Sequence, residues 1–179
     1  MSDRLPDRLF PRKYADKSAK IEGCWPVDEC VRLPELVEKL TGIELELQFV
    51  RQTSGRIVID GRLKTELQLI CQRCLRSLAW PLDVPLHLAV CGNERDFATL
   101  PAGYEPLEVD EDGGITTRQF VEDEVIIRLP AAPAHADISQ CDPDMLHRSK
   151  EFDVSSRADE SGGKKQNPFA VLKKRASKN

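Results

Sequence analysis

The chain reads as an α+β domain, an antiparallel sheet or incomplete small β-barrel with helices packed on it and a disordered C-terminal tail. Three observations predict this. Ile43, Leu45, Leu47 and Phe49 alternate with Glu44, Glu46 and Gln48, the period-two pattern of a half-buried strand. The same alternation recurs at 63–71 and 82–90. Two other stretches, 29–40 and 118–129, place apolar residues at helical spacing. With at least three strands running up and down, a meander is the simplest connection.

Taken in order, residues 1–20 read as an arm and 21–25 as a short strand. Pro26-Val27-Asp28 begins a turn, and Asp28 is placed to cap a helix over 29–40. Val31, Leu33, Leu36, Val37 and Leu40 give that helix a stripe, and Gly42 stops it. Pro34 fits only in the first turn or two. After the 43–49 strand, Thr53-Ser54-Gly55 makes a turn, and Asp60-Gly61 is a strong hairpin signal. The next strand, 63–71, ends in Cys71-Gln72-Arg73-Cys74. Leu82, Val84, Leu86, Leu88 and Val90 form a further strand, with Pro85 pointing to an edge or a bulge.

Residues 92–114 are acidic and turn-rich. Thr116 or Thr117 then caps a helix carrying Phe120, Val121, Glu124, Val125 and Arg128, ended by Pro130. Residues 1–147 thus form one domain. Residues 148–166 are too polar to order themselves and read as a flexible linker. Residues 167–179 read as a basic and apolar docking peptide, in which Asn167 and Pro168 start a short helix.

Composition narrows the class. No apolar run in the 179 residues approaches the roughly 20 needed to span a membrane. The start carries no apolar signal region, so a cytoplasmic protein is expected. Its six cysteines are then free thiols or metal ligands rather than disulfides. A net charge of −4 argues against a wholly basic surface.

The charges are nevertheless segregated. Arg4, Arg8, Arg12, Lys13, Lys17 and Lys20 crowd the first 20 residues. Lys164, Lys165, Lys173, Lys174 and Arg175 crowd a C-terminus without acids, and are candidates for RNA contact. Glu105, Glu108, Asp110, Glu111 and Asp112 are candidates for binding a basic protein, with Phe169 and Leu172 as apolar docking residues.

Four segments, in order, resemble the YceD family of large ribosomal RNA subunit accumulation proteins. They are Cys71-Gln72-Arg73-Cys74, Tyr104-Glu105-Pro106-Leu107-Glu108-Val109, Val121-Glu122-Asp123-Glu124-Val125-Ile126-Ile127 with Leu129-Pro130, and Asn167-Pro168-Phe169-Ala170-Val171-Leu172. The resemblance implies a bacterial factor needed for the synthesis, processing or stability of 23S ribosomal RNA, with no established catalytic mechanism. The implied partners are large-subunit rRNA, a basic large-subunit ribosomal protein, or both. No membrane and no small-molecule substrate is expected.

Cys71 and Cys74 supply half of a tetrahedral zinc site, and His135 and Cys141 are candidates for the other half. The alternatives are a pair of reduced thiols with no cofactor, or a redox pair, although no βαβ pattern surrounds them. Cys24, Cys30 and Cys91 read as small buried hydrophobes, and His87 and His147 as surface residues. Glu122-Asp123-Glu124 raises a competing class, a metal-dependent RNA-processing hydrolase. Three consecutive helical residues point in different directions and do not converge alone. Binding without catalysis is therefore the expected function.

Overall fold

The computed structural model describes residues 3–92 and 94–146. The expected linker and docking peptide lie outside the described residues. So do His147, Lys164, Lys165, Phe169, Leu172, Lys173, Lys174 and Arg175.

In chain order the elements are β1 (Arg8–Leu9), α1 (Pro11–Ala15), β2 (Lys20–Trp25), a 3-10 turn at Val27–Glu29, α2 (Leu33–Leu36), β3 (Lys39–Leu40), β4 (Ile43–Arg51), β5 (Ile57–Ile70), β6 (Ser77–Cys91), α3 (Glu94–Phe97), β7 (Glu105–Glu108), β8 (Ile115–Thr116), α4 (Thr117–Ile126) and a second 3-10 turn at Ile138–Gln140. The main sheet runs β2-β4-β5-β6-β7, with β3 also paired to β5. Only the β6–β7 pairing is parallel. A small second sheet joins β1 to β8, and neither sheet closes into a barrel. Among the described residues no helix is long and apolar enough to cross a membrane.

The alternating strands form as their pattern predicts. Ile43, Leu45, Leu47 and Phe49 of β4 and Leu63, Leu67 and Leu69 of β5 are buried in one core. Phe120, Val121 and Val125 of α4 pack into the same core, so one helical stripe meets one sheet face. Each fully buried side chain of this size contributes about 1.5–3 kcal/mol relative to exposure. Pro81 and Pro85 lie where β6 has only β5 beside it, because β7 pairs with Leu88–Cys91 alone. Their missing N–H groups therefore cost no ladder bond to a second neighbour.

Three expectations are corrected. The first 20 residues are a fold component and not an arm. Leu5, Leu9 and Ala15 are buried, Tyr14 stacks at 5.1 Å on Phe49, and Arg4 bridges in parallel to Cys24. The 29–40 helix is replaced by the 3-10 turn, the one-turn α2 and β3. Cys30 is extended, and Pro34 has no N–H for a continuing helix. Only Leu33 and Val37 of the predicted stripe are buried, while Val31 and Leu36 face solvent.

Lastly, Asp60-Gly61 is no hairpin turn. β5 runs straight through it, and the chain reverses instead at Gln52–Arg56, closed by the Gln52 N–H on the Arg56 carbonyl at 2.8 Å, with Gly55 left-handed at φ 86°. Gly61 is needed for close approach. A Cβ there would meet the Glu46 carbonyl oxygen at 2.3 Å and Leu47 Cδ2 at 2.7 Å. Gly61→Ala should force β4 and β5 apart locally and destabilise the domain by about 1–3 kcal/mol. Urea unfolding checks this, and an unchanged midpoint would contradict the close packing.

Candidate metal centre

The tip of the β5–β6 hairpin is built from residues 71–76. The Cys71 N–H donates to the Arg76 carbonyl at 2.9 Å, and the Leu75 N–H to the Cys71 carbonyl at 2.8 Å. Leu75 is left-handed, at φ 58°, which turns the backbone back and points both thiols to the same side. The segment after α4 then crosses this tip. The Gln72 N–H donates to the Pro133 carbonyl at 2.8 Å, and the Arg73 guanidinium donates to the His135 carbonyl. Arg76 holds Asp142 at 2.7 Å. The Ser139 N–H donates to the Asp137 carboxylate at 2.9 Å, shaping the 3-10 turn that delivers Cys141.

The outcome is a closed cluster. The ligand atoms of Cys71, Cys74, His135 and Cys141 all lie within 4.8 Å of one another. Sγ of Cys71 is 4.0 Å from Sγ of Cys141, and Nδ1 of His135 is 3.6 Å from Sγ of both Cys74 and Cys141. Tetrahedral zinc, with bonds of about 2.3 Å to sulfur and 2.0–2.1 Å to nitrogen, requires sulfur–sulfur edges of about 3.8 Å and sulfur–nitrogen edges of about 3.6 Å. The donor set and its spacing fit that ion.

The three thiols are buried, and Leu78, Ala134, Met145 and Leu146 pack around them. Burial opposes ionisation of Cys71, but N–H donors from the backbone of His135, Arg73 and Cys74 outweigh it and hold this thiol well below its ordinary value. Burial, then contact with Cys74 and Cys71, pushes Cys141 the other way. The surroundings thus favour the thiolate at Cys71 and, through burial first and then the contacts with Cys74 and Cys71, the thiol at Cys141. Of the other cysteines, Cys30 and Cys91 are buried and Cys24 is half-buried.

The remaining candidates are placed less uniformly. Arg8 of the N-terminal segment grips Asp110 at 2.9 Å and Asp112 at 2.7 Å. Glu105 lies 3.9 Å from Arg128. Glu108 and Glu111 make no ion pair among the described residues. So one cation, Arg8, is shared by two carboxylates of the expected acidic patch, and the patch keeps a net negative charge.

The triplet on α4 has structural partners. Oε1 of the buried Glu122 accepts the N–H groups of Val31, Arg32 and Leu33 at 2.8, 2.7 and 3.2 Å. Asp123 pairs with Arg32 at 2.7 Å and Glu124 with Arg128 at 2.6 Å. His87 is half-exposed against Asp60, which also accepts from the Tyr104 hydroxyl at 3.1 Å. Sequence reasoning missed Arg73, Arg76 and Pro133 as supports of the cluster. Their only signal was position, between and just beyond the cysteines.

The family model described as large ribosomal RNA subunit accumulation protein YceD matches residues 59–174, which include all four cluster residues. The chain belongs to the YceD family. A relative from Haemophilus influenzae named large ribosomal RNA subunit accumulation protein YceD is 31% identical over 170 residues, covering 94% of each chain. No solved structure matches. In this YceD member the cluster ties the hairpin tip to the segment that follows α4.

Glu122 yields a pH prediction. Burial resists its charge, but the N–H donors of Arg32, Leu33 and Val31, with the Arg32 cation, lower its pKa below the usual 4.5. A carboxylate lowered by folding stabilises the fold above its unfolded value, and that contribution fades as pH falls towards the folded one. Glu122→Gln should cost about 1–3 kcal/mol near neutrality. The gap to the parent protein should narrow on acidification below about pH 4.5. Denaturant titrations at several pH values check this, and a gap independent of pH would refute it.

Proposed function

We propose that this chain is a cytoplasmic, non-catalytic factor that supports the accumulation of 23S ribosomal RNA, a reading supported by its relative's name, large ribosomal RNA subunit accumulation protein. It acts by binding, on a scaffold closed by a structural zinc ion. The observation that carries this reading is the closed Cys₃His cluster. Cys71, Cys74, His135 and Cys141 would supply all four ligands from within the protein. A catalytic zinc keeps one position for water or substrate, and a structural one does not. Bound zinc contributes folding energy by joining segments remote in sequence.

The carboxylates support the same reading. Glu122, Asp123 and Glu124 hold backbone groups and arginines and form no shared metal-facing pair. Arg8 engages Asp110 and Asp112 from within the fold and leaves less of the acidic patch free for a basic ribosomal protein, and we take RNA as the direct partner.

Untagged protein from zinc-supplemented medium should contain about one zinc per chain. Cys74→Ser and His135→Ala should each lose the metal and lower the Tm. Metal-free parent protein with an unaltered Tm would sink the zinc reading. Incubated with 23S rRNA and magnesium, the purified protein should leave the RNA intact. Cells lacking it should hold less 23S rRNA relative to small-subunit rRNA. Cleavage that Glu122→Gln abolishes while the fold survives would overturn the non-catalytic reading.

A further inference from the structure

The end of the sheet opposite the metal cluster gathers cations of a different kind. There α1 lies over β4 and β5, next to their connecting turn. Arg12, Arg51, Ser54 and Arg56 line one open cleft of about 350 Å³, with Ile57, Val90 and Asp96. Arg51 is spent, because it pairs with Asp16 and donates to the Gly55 carbonyl at 3.3 Å.

The other two arginines are not matched. Arg56 donates only to neutral acceptors, the Asp96 carbonyl at 3.5 Å and the Thr99 hydroxyl at 2.8 Å. Among the described residues the Arg12 guanidinium has no hydrogen-bond or ion-pair partner. Asp96 is the one acid in the lining, and its carboxylate accepts the Gly92 N–H at 2.9 Å. Elsewhere most arginines of the described residues pair with carboxylates, among them Arg4 with Glu29, Arg8 with Asp112, Arg62 with Asp83 and Arg76 with Asp142, while Arg73 donates to the His135 carbonyl. Two guanidiniums sharing a cleft repel each other, and an anion between them relieves that repulsion.

We propose that this cleft is an anchor for the phosphate backbone of RNA, with Arg12 and Arg56 gripping phosphodiester oxygens and the Ser54 hydroxyl adding a donor. A guanidinium presents a planar fork that matches phosphate oxygens in pairs. Ile57 and Val90 give the cleft an apolar wall against which a ribose packs, and its open form lets a chain pass through. No aromatic side chain lines it to stack a base, so the contact is with the backbone and fixes position. The inference rests on the reading of the chain as an RNA-binding factor and adds where the folded domain holds the RNA.

The test uses full-length, zinc-loaded protein and a 23S rRNA transcript, with affinity measured across a salt series. The parent protein should bind with a steep salt dependence. Arg12→Ala should reduce the log–log slope by about one, and Arg12→Ala with Arg56→Gln by about two. Arg12 has no partner to lose, so the single variant tests the cleft without disturbing the fold. Lysine at both positions should keep most of the slope and lose part of the affinity. Parent binding with slopes unchanged in these variants would overturn the cleft and leave RNA binding by the protein standing. Failure of the parent to bind the transcript at any salt would overturn both. Displacement of the RNA by polyglutamate as readily as by polyphosphate would assign the cleft to an acidic protein instead and overturn the proposal.

Discussion

Pairing of β5 with β6 along nearly their whole lengths, from Val58 with Ala89 to Ile70 with Ser77, is the constraint on which the other elements depend. At about 3.3 Å per residue, a strand of 14 residues is roughly 45 Å long. Among the described residues only its partner β6, at 15 residues, matches that reach. β4 lies along one half of β5 and β3 along the other, while β7 seals only the last four residues of β6. The hairpin therefore sets the long axis of the domain. It also keeps the thiol cluster at its tip away from the cation-lined cleft at its base.

Around that axis, buried polar contacts join parts of the chain that are far apart in sequence. Thr117 opens α4 with its hydroxyl donating to the Pro6 carbonyl at 2.5 Å, and its N–H donates to the Asp7 carbonyl. Glu122, from the middle of α4, accepts the N–H groups of Val31 and Arg32, just before α2, and of Leu33, its first residue. A helix of four residues cannot sustain itself in water. It persists here because its first N–H and the two before it meet a carboxylate from another element. Each such group left buried and unpaired would cost about 1–3 kcal/mol. The carboxylate triplet that resembles a catalytic site in sequence thus holds the fold together.

What could be read from the residues, and what could not, follows from the range of the interactions. β4, the second half of β5 and the body of β6 were legible because alternation is a local consequence of one buried face. The helical stripe of α4 was legible for the same reason. The N-terminal segment was misread because its charges hid Leu5 and Leu9, and those charges find partners about 100 residues away, such as Arg8 with Asp112. Asp60-Gly61 misled because glycine serves tight turns and close backbone approach alike, and only the neighbouring strand decides which. β7 escaped notice because four residues added in parallel at an edge show no alternation worth the name. Of the cluster, the two knuckle cysteines were evident from spacing. The meeting with His135 and Cys141 depends on contacts such as Gln72 with Pro133 that no local pattern encodes.

The split origin of the cluster also bears on how the protein comes off the ribosome that makes it. The β5–β6 hairpin closes over only six residues, so it forms at little loop-closure cost as soon as it emerges. Cys71 and Cys74 are then displayed on a finished turn while His135 lies 44 residues (135 − 91) beyond the end of β6. Chains fold from the N-terminus as they are made, at about 5–20 residues per second. For several seconds the nascent domain thus presents a lone thiol pair and an uncovered apolar sheet face. Only the arrival of α4 and the segment behind it covers both together. Completion of the Cys₃His cluster therefore coincides with completion of the core, and the closed cluster marks a chain that has been translated through residue 141.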